Sequence, residues 1–139
     1  MKKKGFLEMN KIDTLIAYLF AIQALAKDIH YSVKGEAFYS KHLLADEVYK
    51  GIDEQIDALI ETCILPYDLP KHITTYWKDA KEIMPNGNTD FIALYDLLTK
   101  AIYEFNNIGL NSENAGGSLI GDIAKDLQRK LGLITRQVG

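Results

Sequence analysis

Four apolar stripes at helical spacing constrain this chain more than any other feature. Ile12, Leu15, Ile16, Leu19, Ile22, Ala26 and Ile29 recur at steps of three and four residues from about Asn10 to Val33. Gly35 interrupts the run. A second helix is expected over about 36–63, with Leu44, Val48, Ile52, Ile56 and Leu59 on its inner face. It must end before "LPYDLP", because Pro66 and Pro70 cannot continue a helix. A third helix is expected from Thr89 or Asp90, both good N-caps, with the stripe Phe91, Leu94, Leu97, Leu98, Ala101, Ile102 and Phe105. "GLNSENAGG" reads as a loop, and Leu119, Ile120, Ile123, Leu127, Leu131 and Ile134 mark a last helix. Apolar residues never alternate for long enough to make a strand. The pattern predicts an all-α four-helix bundle, with "KHITTYWKDAKEIM" as a short helix in the crossover between the second and third helices.

The chain is 139 residues long, which suits one domain, 1–139, with residues 1–8 expected as a flexible lysine-containing tail. A net charge of −3 gives no general reason to expect nucleic acid as a partner. The single cysteine, Cys63, excludes an internal disulfide framework and fits a reducing cytosol, where it is expected to act as a small hydrophobe. No apolar run approaches the roughly 20 residues that span a bilayer. "MKKKGFLEMNKID" has no sustained apolar core, so a secretory signal is not expected. There is no glycine-rich phosphate loop, no Cys-x-x-Cys and no nucleophile–base pair. His72 is expected at the surface, and Trp77 with Tyr76 is expected to cover the bundle.

The polar face of the second helix carries the chemistry. On an unbroken helix His42, Asp46, Asp53, Asp57 and Glu61 fall within about 100° of one another, opposite the apolar stripe. Acids stacked one turn apart repel each other, and only Lys50 lies among them. An imidazole one turn from a carboxylate is also a common metal-binding pair. His42 and Glu61 would lie roughly 28 Å apart, too far for one ion. Either the two ends are unrelated, or a second copy of the helix runs antiparallel against the first. A two-fold axis would then bring His42 and Asp46 of one subunit against Asp57 and Glu61 of the other. Gly51, near the middle, costs about 1 kcal/mol in a helix relative to alanine; close approach of two backbones is one explanation.

With His30 the pattern becomes H-Y-x-x-x-G-x-x-F-x-x-x-H-x-x-x-D and then D-x-x-x-E, through His30, Tyr31, Gly35, Phe38, His42, Asp46, Asp57 and Glu61. This resembles the Dps proteins, the miniferritins of the ferritin-like superfamily. The likeness runs without a gap from His30 to Glu61 and more weakly through "KDIHYSVKG" and "AKDLQRKLG". It implies a ferritin-like bundle and an intersubunit ferroxidase site. His30, His42 and Asp46 would come from one subunit, and Asp57 and Glu61 from its two-fold mate. Iron would be bound as Fe(II), oxidised by hydrogen peroxide and stored inside a homo-oligomeric shell, a dodecamer in the family. Tyr31 stands where the family often has tryptophan, as an electron donor or a packing residue. Lys2, Lys3 and Lys4 are a rudimentary version of the lysine-rich tail through which the family binds DNA. Three features depart from the pattern: Thr62 replaces an arginine, the last helix lacks a tryptophan, and it contains Gly121 and Gly132. In addition, Asn114, Ala115, Gly116, Gly117 and Ser118 stand where many members line their pores with aspartates, leaving only Glu113 acidic. These departures keep a second expectation open: a ferritin-like bundle without ferroxidase activity, acting as a structural or binding oligomer.

Overall fold

A computed structural model describes the backbone of residues 2–85, 87, 89–108 and 115–138, and side chains within these from residue 10 onward except residue 115. The described residues form helices and no strands: α1 (Lys2–Ser32), α2 (Phe38–Tyr49), α3 (Ile52–Leu59), a π-helical turn (Ile60–Ile64), α4 (Ile73–Ile83), α5 (Phe91–Asn106) and α6 (Ala115–Val138). α1 packs against α2, α3, α4 and α5, while α6 packs against α5 and against the α2–α3 stretch. Four helical columns result, with α4 laid against α1 on the crossover between the second and third.

The four stripes are the core. Every stripe residue named in α1 and α5 is buried, and so are Ile120, Ile123, Leu127 and Ile134 of α6. Leu119 and Leu131 are partly buried against them. Burying these side chains stabilises the bundle by about 1.5–3 kcal/mol for each large aliphatic residue, an upper bound because unfolded chains already hide some surface.

Helix ends follow local chemistry. Asp90 is the N-cap of α5, its Oδ1 accepting from the Ala93 amide at 2.9 Å. After Pro70, His72 opens α4 in extended conformation, and its carbonyl accepts from the amides of Thr75 and Tyr76. Two junctions take the left-handed region: Gly35 (φ +80°) with Ala37 (φ +61°) between α1 and α2, and Gly51 (φ +82°) between α2 and α3.

Several expectations need correction. The first helix starts at Lys2, earlier than the expected start near Asn10. The last helix takes in Ala115, Gly116 and Gly117, which had been read as loop; Glu113 and Asn114 lie outside the described residues. The second helix is not continuous. Lys50 turns extended (ψ 130°) and Gly51 left-handed, so one helical wheel does not carry across them. Gly51 is needed for that turn, and within one chain a Cβ there would meet nothing within 4 Å. Within one chain, a Cβ at Gly121 or Gly132 would likewise meet nothing within 4 Å. Finally, Tyr76 is fully buried, its hydroxyl donating to Asp13 Oδ1 at 2.7 Å, but Trp77 is 57% exposed and does not cover the bundle. His72 is exposed and Cys63 is buried with a free thiol, both as expected.

Candidate functional site

The short link between α1 and α2 brings His30 and His42 together. Gly35 and Ala37 reverse the chain, and the Phe38 amide closes the turn on the Gly35 carbonyl at 3.1 Å. The two imidazoles stack with centroids 3.5 Å apart and planes 21° from parallel. His30 Nδ1 donates to the His42 carbonyl at 2.8 Å, and His42 Nδ1 donates to the His30 carbonyl at 2.7 Å. A carbonyl can only accept, so each Nδ1 carries a proton. In the neutral rings each Nε2 then has a free lone pair. That is the tautomer a metal-ligating histidine adopts, with its second nitrogen anchored on a backbone carbonyl.

Aromatic rings frame the pair. Tyr31 and Tyr49 meet His30 edge-on, at 5.3 and 5.4 Å between centroids, and Phe38 lies 5.2 Å from His42. Lys27 Nζ sits 5.5 Å from the Tyr49 ring centre. Burial, and then the neighbouring Asp46 carboxylate, push the Tyr49 hydroxyl up to about 12, so it remains a phenol at neutral pH. Tyr49 was not singled out from the sequence. The signal was its spacing, seven residues after His42 and three after Asp46, which puts all three on one face of α2. Tyr31 is 76% exposed, more than a packing role within one chain requires.

The remaining candidates lie elsewhere. Asp46 is half-buried on α2, one turn beyond His42. Asp57 on α3 and Glu61 on the π-helical turn are exposed. Asp53, from the same acidic stripe, is hydrogen-bonded by Gln23 of α1. Among the described residues, no three or more His, Cys, Asp or Glu side chains come together to hold a metal ion. A single chain therefore stacks the two histidines, and among the described residues neither Asp46 nor Asp57 and Glu61 join them in a metal-holding group. No described helix is long and apolar enough to cross a membrane.

No family model matches the sequence, and no curated protein matches it. The structure, however, superposes on the crystal structure of a Dps protein from Vibrio cholerae O1 with a TM-score of 0.84, over 99% of this chain and 92% of that one, at 18% identity. The fold is ferritin-like. The Vibrio protein is described as a member of a broad superfamily of ferritin-like diiron-carboxylate proteins. At this identity the likeness establishes the ferritin-like bundle; the chemistry must be argued from the residues.

Proposed function

We propose that the chain is a miniferritin-type ferroxidase that oxidises Fe(II) with hydrogen peroxide at a site shared between two copies. His30, His42 and Asp46 of one copy would meet Asp57 and Glu61 of its mate across a two-fold axis, giving two equivalent sites per pair. The observation that carries this reading is the reciprocal anchoring of the two histidines, which turns both Nε2 lone pairs free for a cation. Two Fe(II) ions would each surrender one electron to peroxide, which takes up two protons and leaves as two waters. Mixed imidazole and carboxylate donors suit a metal that must enter as Fe(II) and depart as Fe(III).

Exposed apolar side chains support the pairing. Tyr31, Phe38, Tyr39 and Leu43 surround the histidine end, and Leu65, Tyr67, Leu69, Ile73 and Trp77 follow the carboxylate end. Surfaces of this kind are usually covered by a partner, and an antiparallel mate would set one cluster against the other. Larger closed assemblies, up to a dodecameric shell for stored iron, are compatible with such a pair. A cytosolic setting fits the free thiol of Cys63.

The test is anaerobic Fe(II) loading followed by peroxide, with iron oxidation and peroxide loss read together. The parent should consume about one peroxide for two Fe(II), and substituting both His42 and Asp57 should abolish the reaction. A double variant that oxidises iron at the parental rate sinks the assignment. A paired chain with no iron uptake would instead favour the bundle as a structural or binding oligomer.

A further inference from the structure

Among the described residues, one charged side chain is both fully buried and unrelated to the donor set. Lys130 on α6 is 0% exposed, and its ammonium donates to the Lys50 carbonyl at 2.9 Å and to Asp126 Oδ2 at 2.9 Å. The Lys50 carbonyl is available because the helix is broken there. In a continuous helix it would accept from the amide four residues on. Here Lys50 is extended, Gly51 is left-handed, and the ladder restarts with the Gln55 amide on the Gly51 carbonyl at 3.2 Å.

α6 holds both sides of the break as well as the break itself. Upstream, Arg129 donates to Glu47 Oε1 of α2 at 3.1 Å and to Asp126 Oδ1 at 3.2 Å. Downstream, Gln55 of α3 donates to Asp126 Oδ2 at 2.8 Å. Burial by itself would raise the Asp126 pKa, but the hydrogen bonds from Lys130, Gln55 and Arg129 outweigh it and hold the carboxyl below the usual aspartate range. A methionine at 130, with an uncharged side chain at 126, would fill the volume without burying a charge, and swaps of a whole pair often cost little stability. It could not, however, bind the freed carbonyl and fix the angle at which α3 leaves α2.

We propose that Lys130, held by Asp126, is a positioning residue for the metal site, setting the angle between α2 with His42 and Asp46 and the α3–π stretch with Asp57 and Glu61. This inference rests on the two-fold ferroxidase reading. On that reading each copy gives His30, His42 and Asp46 to one site and Asp57 and Glu61 to the other. A change of angle at Lys50–Gly51 therefore shifts the carboxylates away from the partner's histidines at both sites together.

Co(II) is the probe, because its visible spectrum reports the number and arrangement of donors, and steady-state oxidation of Fe(II) by peroxide is measured beside it. The variants are Lys130→Met and the double substitution Asp126→Asn/Lys130→Met, which removes both charges together and so folds even where the single change leaves Asp126 without its buried ammonium partner. Leu97→Ala, in the core of α5, serves as a destabilised control. Each Lys130 variant should bind Co(II) about tenfold more weakly, the effect typical of groups that orient ligands. The spectrum should change, and KM for Fe(II) should rise more than kcat falls. The control should lose thermal stability yet keep the parental affinity and spectrum. If both Lys130 variants bind Co(II) as tightly as the parent with an unchanged spectrum, the positioning role is overturned while the metal site stands. If the parent takes up no Co(II), the metal-site reading itself fails and the role goes with it.

Discussion

His30 and His42 each donate from Nδ1 to the other's backbone carbonyl, at 2.8 and 2.7 Å, with their rings in face contact. Each ring is oriented by the other residue's backbone and not by its side chain. Replacing His42 by alanine therefore keeps the bond from His30 to the residue-42 carbonyl and removes the return bond with the ring contact. The expected cost is about 1 kcal/mol of stability, measured by urea unfolding, whereas Fe(II) oxidation should fall to the uncatalysed rate.

A shared site makes a complementation experiment decisive. His42→Ala/Asp46→Ala and Asp57→Ala/Glu61→Ala should each be inactive alone. Co-expressed as mixed pairs, they regain one intact site out of two, because the undamaged halves lie on opposite subunits. Metal stoichiometry of the purified mixed pair checks this; no recovery would mean that each site is built within one chain.

The two left-handed non-terminal junctions predict opposite signs. Gly51→Ala forces a Cβ into φ +82°, and with nothing crowding that position the cost should be the conformational one, about 1 kcal/mol. Ala37 already bears that strain at φ +61°, so Ala37→Gly should be neutral or stabilising by up to about 1 kcal/mol, the relief being partly offset by glycine's entropy. Thermal unfolding of both variants reads the contrast.

How much of this could be read from the sequence differs between core and site. The stripes of α1 and α5 were legible residue by residue, because burial enforces the helical period wherever a helix is unbroken. The grouping of His30 with His42 was legible through their twelve-residue spacing, and the structure stacks the two rings. The break at Lys50–Gly51 was not, since glycine in a helical pattern signals either a tolerated defect or a left-handed turn and only tertiary contacts decide. Lys130 was missed for a related reason. Leu127, Lys130 and Ile134 step by three and four onto the inner face of α6, but a lysine in that register is more often a solvated side chain than a buried one.

Asp126 gives a pH dependence with a definite sign. Its folded-state pKa is lowered, so its contribution to stability is complete above the ordinary aspartate value of about 3.9 and is lost as pH falls through the lowered value. Lys130, Arg129 and Gln55 face it, with Glu47 sharing Arg129. The parent's advantage over Asp126→Asn should therefore be largest near neutrality and shrink below about pH 4 in urea titrations.

Asp13 behaves in the opposite sense. Burial raises its pKa and the Tyr76 hydroxyl pulls it partly back, so stability held below the unfolded pKa is lost as pH rises through the folded value. Tyr76→Phe removes the opposing bond and should cost about 1 kcal/mol at neutral pH, with a smaller difference in acid, where Asp13 is protonated.

The five-residue link at 33–37 has a consequence for the order of assembly. A hairpin of two neighbouring helices closes quickly and needs no distant part of the chain, so the imidazole pair exists as soon as one polypeptide folds. On the two-fold reading proposed above, Asp57 and Glu61 of a mate would arrive only by encounter, which depends on how much protein is present. In dilute solution a folded polypeptide would thus offer only His30, His42 and Asp46, and the second half of the donor set would be supplied with rising abundance.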